Sequence, residues 1–247
     1  MESLLRLSSI VRFRRSILVV ASGEQWPRVT LQAPSEPDTR HRSYDYFRYE
    51  GRDWQFFEPV YARMRPAPPV LDVGSGLGFF VECCQRNGTS VIGLELSKEG
   101  VAASASRHLP IVRGDLTQQF PFRDNVFGSA LAHHVLEHVS LSQERWIIRE
   151  VKRVLRPGGL FFAVSPNTFH PQARDEPDHV NLFTPHELGK ELRAAGFRNV
   201  SLAPNYWRPF RDSGRAVGRA RSAAAGIMWK IAPLDRFAAS SAALAWK

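Results

Sequence analysis

A chain of 247 residues, 43% hydrophobic and 23% charged, has the length and composition of one globular domain with some decoration. No apolar run is long enough to span a bilayer, and the two cysteines, Cys83 and Cys84, are adjacent, a poor disulfide pair on a helix. Lysine and arginine outnumber the acids 33 to 24, a net charge of +9 that suits an anionic partner.

Residues 1–40 open with Arg12, Arg14 and Arg15 ahead of a short apolar run, then turn polar around Pro34 and Pro37. They read as a flexible basic arm. The apolar run is too short for a secretory signal, whereas the Arg- and Ser-rich start leaves an organellar targeting segment open. Residues 41–66 are aromatic, from Tyr44, Tyr46 and Phe47 to Trp54, Phe57 and Tyr61. This pattern predicts a helical cap, ended by Pro66, Pro68 and Pro69.

From residue 67 to 247 the pattern becomes that of one domain. Short apolar runs at 70–73, 91–96, 111–112, 129–132 and 160–164 predict strands. The helix that separates the last two, at 143–155, carries Ile147, Val151 and Val154 or Leu155 on one face. Thr184, Pro185 and Glu187 are the N-cap, first-turn proline and capping-box partner of another helix, which Gly196 closes. Residues 197–202 and 242–246 read as the last strands. Between them, at about 205–238, lies a basic insertion. From Arg198 to Arg236 eight basic residues face two acids, so much of the charge excess is local. Apolar strands alternating with helices mean an α/β, Rossmann-like sheet covered on both faces and mostly parallel.

The chemistry concentrates at strand ends. Val70-Leu71-Asp72-Val73-Gly74-Ser75-Gly76-Leu77-Gly78 is a buried strand running into a glycine turn, where a ligand can approach the backbone without meeting a Cβ. Gly74, Gly76 and Gly78 form GxGxG. A dinucleotide fingerprint wants its third glycine where Phe79 stands, which disfavours a nicotinamide oxidoreductase. Asp72 suits a cationic amino group, Glu95 suits a ribose diol, and Asp115 adds a third acid at the same edge. In an open α/β sheet that edge binds ligands.

These residues resemble the class I S-adenosylmethionine-dependent methyltransferases, and within them the group known as methyltransferase type 11. The likeness runs from about residue 69 to 200 and also takes in Ala132-His133-His134-Val135-Leu136-Glu137-His138-Val139 and Leu155-Arg156-Pro157-Gly158-Gly159. It implies seven strands, the last antiparallel and inserted between the fifth and sixth. It also implies S-adenosylmethionine as cofactor, with Asp72, Gly74, Ser75, Gly76 and Gly78 around the methionine part. Glu95 and Leu96 would meet the ribose, Asp115 and Leu116 the adenine, and His133 would offer its carbonyl.

Methyl transfer from a sulfonium is largely a matter of positioning, and a hydroxyl acceptor gains from a base titrating near neutrality. His134 and His179 lie in segments that resemble the family's substrate pocket and are the catalytic candidates, with His138 more readily a packing residue. On a helix His134, Glu137 and His138 would share a face. Quinone-biosynthesis O-methyltransferases resemble this segment, with Glu where this chain has His134, and some use a divalent metal there. Histidine changes that site's charge and preference, and no metal is expected. The Asn/Asp-Pro-Pro-aromatic sequence of base-methylating relatives is absent, as is a Pro-Cys nucleophile, so no nucleic-acid partner is expected. The resulting expectation is methyl transfer to a small molecule, at an oxygen of a hydrophobic or lipid-linked acceptor. A cofactor-binding scaffold subunit without turnover is the alternative. The expected location is cytoplasmic, with peripheral contact to anionic membrane through Arg211, Arg215, Arg219 and the apolar run at 227–231.

Overall fold

The computed structural model describes residues 19–20, 53–203, 234–238 and 240–247. The run of Arg211, Arg215 and Arg219, the apolar patch at 227–231 and most of the basic arm lie outside the described residues. The chain divides into two compact units. One comprises Met1–Leu131, Arg149–Phe161 and Lys247; the other comprises Ala132–Ile148 and Phe162–Trp246.

In the first unit β2 (Val70–Val73), β3 (Val91–Glu95) and β4 (Ile111–Arg113) are parallel neighbours, with Val70 beside Val91 and Gly93 beside Ile111. Their central positions are fully buried, as uninterrupted apolar runs require of strands covered on both faces. β1 (Val19–Val20) pairs antiparallel with β4. The strand order is β1-β4-β3-β2-β5-β6, with β5 at Phe127–His133 and β6 at Leu155–Pro166. Helix α1 (Glu58–Met64) follows a 3-10 turn capped by Asp53 and packs on α2 (Phe79–Arg86). Phe57 lies against Phe80, Arg86 stacks on Trp54, and the Tyr61 hydroxyl bonds Thr89. The aromatic segment, as far as it is described, buttresses the helix that follows the glycine turn. Cys83 and Cys84 sit buried in α2, and burial pushes both thiols above their ordinary range, so they are packing residues.

The second unit holds the later parts of β5 and β6, then β8 (Ser240–Trp246) and β7 (Arg198–Leu202), in the order β5-β6-β8-β7. β8 is antiparallel to β7, with Leu202 beside Ala243, and is inserted between β6 and β7 as expected. The seven strands from Val70 onward are those of the expected fold class. β6 starts earlier than its apolar run predicts. The backbone of Lys247 pairs with Gly158 and Gly159, which draws the Leu155–Gly159 segment into the ladder.

Helix α3 (Lys98–Ser106) and the long α4 (Leu141–Val154) follow β3 and β5; Ile147, Val151 and Val154 are fully buried. In the second unit, α5 (Pro171–Asp175) is a short helix and α6 (Pro185–Ala194) has the capping box read from the sequence. The Thr184 hydroxyl accepts from Glu187 N–H at 3.2 Å, and the Glu187 carboxylate accepts from Thr184 N–H at 2.8 Å. Thr184→Ala is therefore expected to lower stability by about 1 kcal/mol in urea unfolding. An unchanged midpoint would show that the box contributes nothing.

Candidate functional site

The glycine turn after β2 is built from backbone angles that side chains resist. Gly74, Gly76 and Gly78 have φ of 69°, 53° and 78°, in the left-handed region. A Cβ on Gly78 would lie 2.7 Å from the Ser104 hydroxyl and 2.8 Å from Leu109. The turn hangs on β3, because Gly74 and Ser75 both donate their N–H to Leu94 O. Ser75 packs its hydroxyl against Gly93, whose own Cβ would fall 2.6 Å from it. The Ser75 backbone is engaged at both ends, by Leu94 O and Gly78 N–H, while its buried hydroxyl has no hydrogen-bond partner among the described residues. Gly93 and Arg107, which donates to Leu77 O and pairs with Glu82, support the turn. Neither is visible in the motif, since both act from outside it.

Glu95 ends β3, where its two carboxylate oxygens accept from Gly76 N–H and Ser97 N–H, each at 2.7 Å. The turn and the acid therefore fix one another. Asp115 follows β4, and its Oδ1 accepts from both the Thr117 N–H and hydroxyl at 2.8 Å. Leu96 and Leu116 beside these acids are half-buried. Asp72 is almost fully buried. Burial, with a smaller contribution from Glu95, pushes its carboxyl up to about 8. An incoming cationic amino group would reverse that shift and make Asp72 an ionised partner. Acids ending three adjacent parallel strands beside a left-handed glycine turn suit a ligand carrying an amino cation and a ribose.

The histidines belong to the second unit. His133 ends β5, and His134 follows at φ 57°, with its N–H donated to Val164 O. A left-handed residue cannot continue into an α-helix, and Leu136–His138 form only a 3-10 turn. The expected shared helix face of His134, Glu137 and His138 is therefore corrected. His134 meets Glu137 through the turn, Nδ1 to Oε1 at 2.9 Å. Glu137 is wholly buried, and its Oε2 accepts from the Ser165 hydroxyl at 3.2 Å.

A separate grouping joins Glu137, His138 and His179, whose polar side-chain atoms lie within 4.8 Å of one another. His138 Nδ1 bonds Asp178 O at 3.2 Å and His179 Nδ1 bonds Ala173 O at 2.8 Å. A carbonyl only accepts, so both rings donate through Nδ1. Burial holds the His138 imidazole below its ordinary range, against the Glu137 carboxylate. Each of the three offers one ligand atom at a spacing that could hold a metal ion, and Glu137, which sequence spacing placed on a helix face, lies in the core. Asn181 ties its loop to α4 by donating to Glu144 at 3.1 Å.

Residues 71–163 match the family profile described as a methyltransferase domain. The demethylmenaquinone methyltransferase of Mycobacterium tuberculosis is 32% identical over 110 residues, 44% of this chain and 46% of that protein. A probable S-adenosylmethionine-dependent methyltransferase of Mycolicibacterium smegmatis is 33% identical over 150 residues, 57% of each chain. The chain thus spans about half the length of the curated relatives it matches. Among solved structures, a SAM-dependent methyltransferase from Archaeoglobus fulgidus has a TM-score of 0.63 at 17% identity, covering 82% of this chain and 97% of that one. The [4+2]-cyclase SpnF has a TM-score of 0.54 at 24% identity, covering 78% and 81%.

Proposed function

We propose that this chain, which carries an S-adenosylmethionine-dependent methyltransferase domain, transfers a methyl group to an oxygen of a hydrophobic or lipid-linked small molecule. The observation that carries the cofactor half is the mutual grip of Gly76, Ser97 and Glu95 beside Asp72. Bound S-adenosylmethionine supplies an activated methyl on a cationic sulfur. In this reading Asp72 receives its amino group, the Gly74–Gly78 backbone lies along its methionine part, and Ser75 and Leu96 border it. Glu95 takes the ribose hydroxyls and Asp115 the adenine amino group, with Leu116 against the ring. His133 contributes a carbonyl, and His134 or His179 accepts the acceptor's proton.

The relative named for demethylmenaquinone favours a quinone-type acceptor, and the basic composition of residues 198–236 favours an anionic surface. Because SpnF is named as a cyclase, a shared fold does not by itself dictate the reaction. A cofactor-binding subunit without turnover therefore stays as the second reading.

Calorimetry with S-adenosylmethionine and with NAD tests the cofactor. An untargeted search for metabolites that gain a methyl group tests turnover, and its failure with cofactor bound would favour the scaffold reading. No helix among the described residues is long and apolar enough to cross a membrane. Peripheral contact is tested with vesicles. Binding is expected to grow with anionic lipid content and weaken with salt. Arg211, Arg215 and Arg219 changed together to glutamate should release the protein without altering cofactor affinity. Wild-type protein that ignores anionic vesicles at low salt would leave the insertion without a membrane role.

A further inference from the structure

The polar core of the second unit has a feature that the cofactor chemistry does not require. Glu137 has no exposed surface, yet both of its carboxylate oxygens are engaged, by His134 Nδ1 and by the Ser165 hydroxyl. Its backbone carbonyl is tied as well, accepting from Val180 and Asn181 N–H. The residue is thus fixed at both side-chain oxygens and at its backbone. Its partner His134 is fixed too, because its backbone is held left-handed and its N–H is bonded to Val164 O at 2.8 Å. For a residue with a Cβ that conformation costs about 1–2 kcal/mol, and it is what brings the ring over the buried acid. The His134 side chain is only partly enclosed, at 39% exposed.

We propose that Glu137 is a positioning residue that holds His134 as the Nδ1–H tautomer and so presents a bare Nε2 as proton acceptor. An ionised carboxylate has no hydrogen to give, so the bond at 2.9 Å must carry the imidazole's own proton. Burial alone would raise the Glu137 carboxyl. The His134 hydrogen bond and charge, with a smaller contribution from His138, outweigh it and hold the group below the ordinary carboxylate range. The titratable groups facing His134 are therefore Glu137, the adjoining His133 ring at 4.6 Å, and the His138–His179 pair beyond Glu137.

This inference rests on the transferase reading above. In the step it serves, the acceptor O–H proton passes to Nε2 while the oxygen forms its bond to the methyl carbon. The carbon–sulfur bond breaks with its electron pair remaining on sulfur. The imidazolium so formed lies against the Glu137 carboxylate, which stabilises it, and loses its proton to water afterwards.

The test is nitrogen NMR of histidine-labelled full-length protein, with His134→Gln assigning the ring. Above neutral pH, His134 is expected to show a protonated Nδ1 and an unprotonated Nε2. Glu137→Gln, whose amide can itself donate, should release that constraint and let the Nε2–H tautomer appear. Should that buried variant fail to fold, the wild-type tautomer decides the matter alone, with Ser165→Ala as a milder change. An Nε2–H tautomer in wild type, an unchanged tautomer in folded Glu137→Gln, or His134 resonances shifted by a chelator would each overturn the assignment. Calorimetry on the same samples separates the two readings. Lost cofactor binding with the tautomer intact would count against the transferase reading, and bound cofactor with the wrong tautomer against the Glu137 role.

Discussion

Changing Gly76 to valine should abolish binding of S-adenosylmethionine. Gly76 sits at φ 53°, and its N–H is one of the two that hold the Glu95 carboxylate. A left-handed backbone costs an L side chain about 1–2 kcal/mol, and valine, branched at Cβ, is among the least tolerant. Relaxing the strain means turning the N–H away from Glu95, and a hydrogen bond to a charged group contributes about 1.5–3 kcal/mol. Either cost, about 2–3 kcal/mol at its upper end, corresponds to a loss on the order of 100-fold in affinity, at 1.4 kcal/mol per decade. The fold should survive, because β2 and β3 pair along their whole length without the turn. Calorimetry gives the affinity and circular dichroism the fold. A folded Gly76→Val protein that binds within about threefold of wild type would remove the turn from the cofactor site.

Asp72→Asn should separate binding from stability in opposite directions. The carboxyl is raised to about 8 by burial and by Glu95, whereas in the unfolded chain it titrates near 3.8. Between those values the native state holds a proton that the unfolded state has lost. Stability of the cofactor-free protein from this group therefore falls as pH rises through that window, by about 1.4 kcal/mol per unit at most. Asparagine has no proton to lose, so the variant's advantage in Tm over wild type should be larger at about pH 8 than at about pH 5. Its cofactor affinity should nevertheless drop about 30-fold or more, since removing one partner of a buried charge pair costs roughly 2 kcal/mol or more. Wild-type binding near neutrality should also release a proton, which calorimetry in buffers of different ionisation enthalpy detects. Undiminished affinity in Asp72→Asn would leave the amino group without its assigned partner.

The glycine turn and its strand-end acids were legible in the sequence because their signals are local. Asp72, Gly74, Gly76 and Gly78 fall within seven consecutive positions, and Glu95 and Asp115 each follow an apolar run closely. The capping box of α6 is likewise complete within Thr184–Glu187. The histidine side was less legible because its geometry depends on distant chain. A spacing of three and four suggests a helix for His134, Glu137 and His138, but the His134 N–H is claimed by Val164 O, and the left-handed turn follows. The burial of Glu137 is likewise made by Ser165 and the loop at residues 180–181, neither of which any pattern around Glu137 announces. The early start of β6 had the same kind of cause, a pairing with Lys247 far along the chain.

Asn167 gives the second unit a different kind of freedom. Its side-chain amide donates to both Asp235 O and Ala238 O at 2.6 Å, and its carbonyl oxygen accepts from Phe169 N–H. On the near side, Ala203 N–H is bonded to Ala242 O, and Ser241 donates to Phe183 O. The chain is thus moored immediately before residue 204 and again immediately after residue 233. Loop closure grows costlier only slowly with length, by about 0.6 kcal/mol per doubling. Descendants of this sequence could lengthen, shorten or recompose the stretch between those moorings without shifting the register of β7 on β8. Natural selection is thereby free to recompose that part of the sequence while the strands around it are inherited intact.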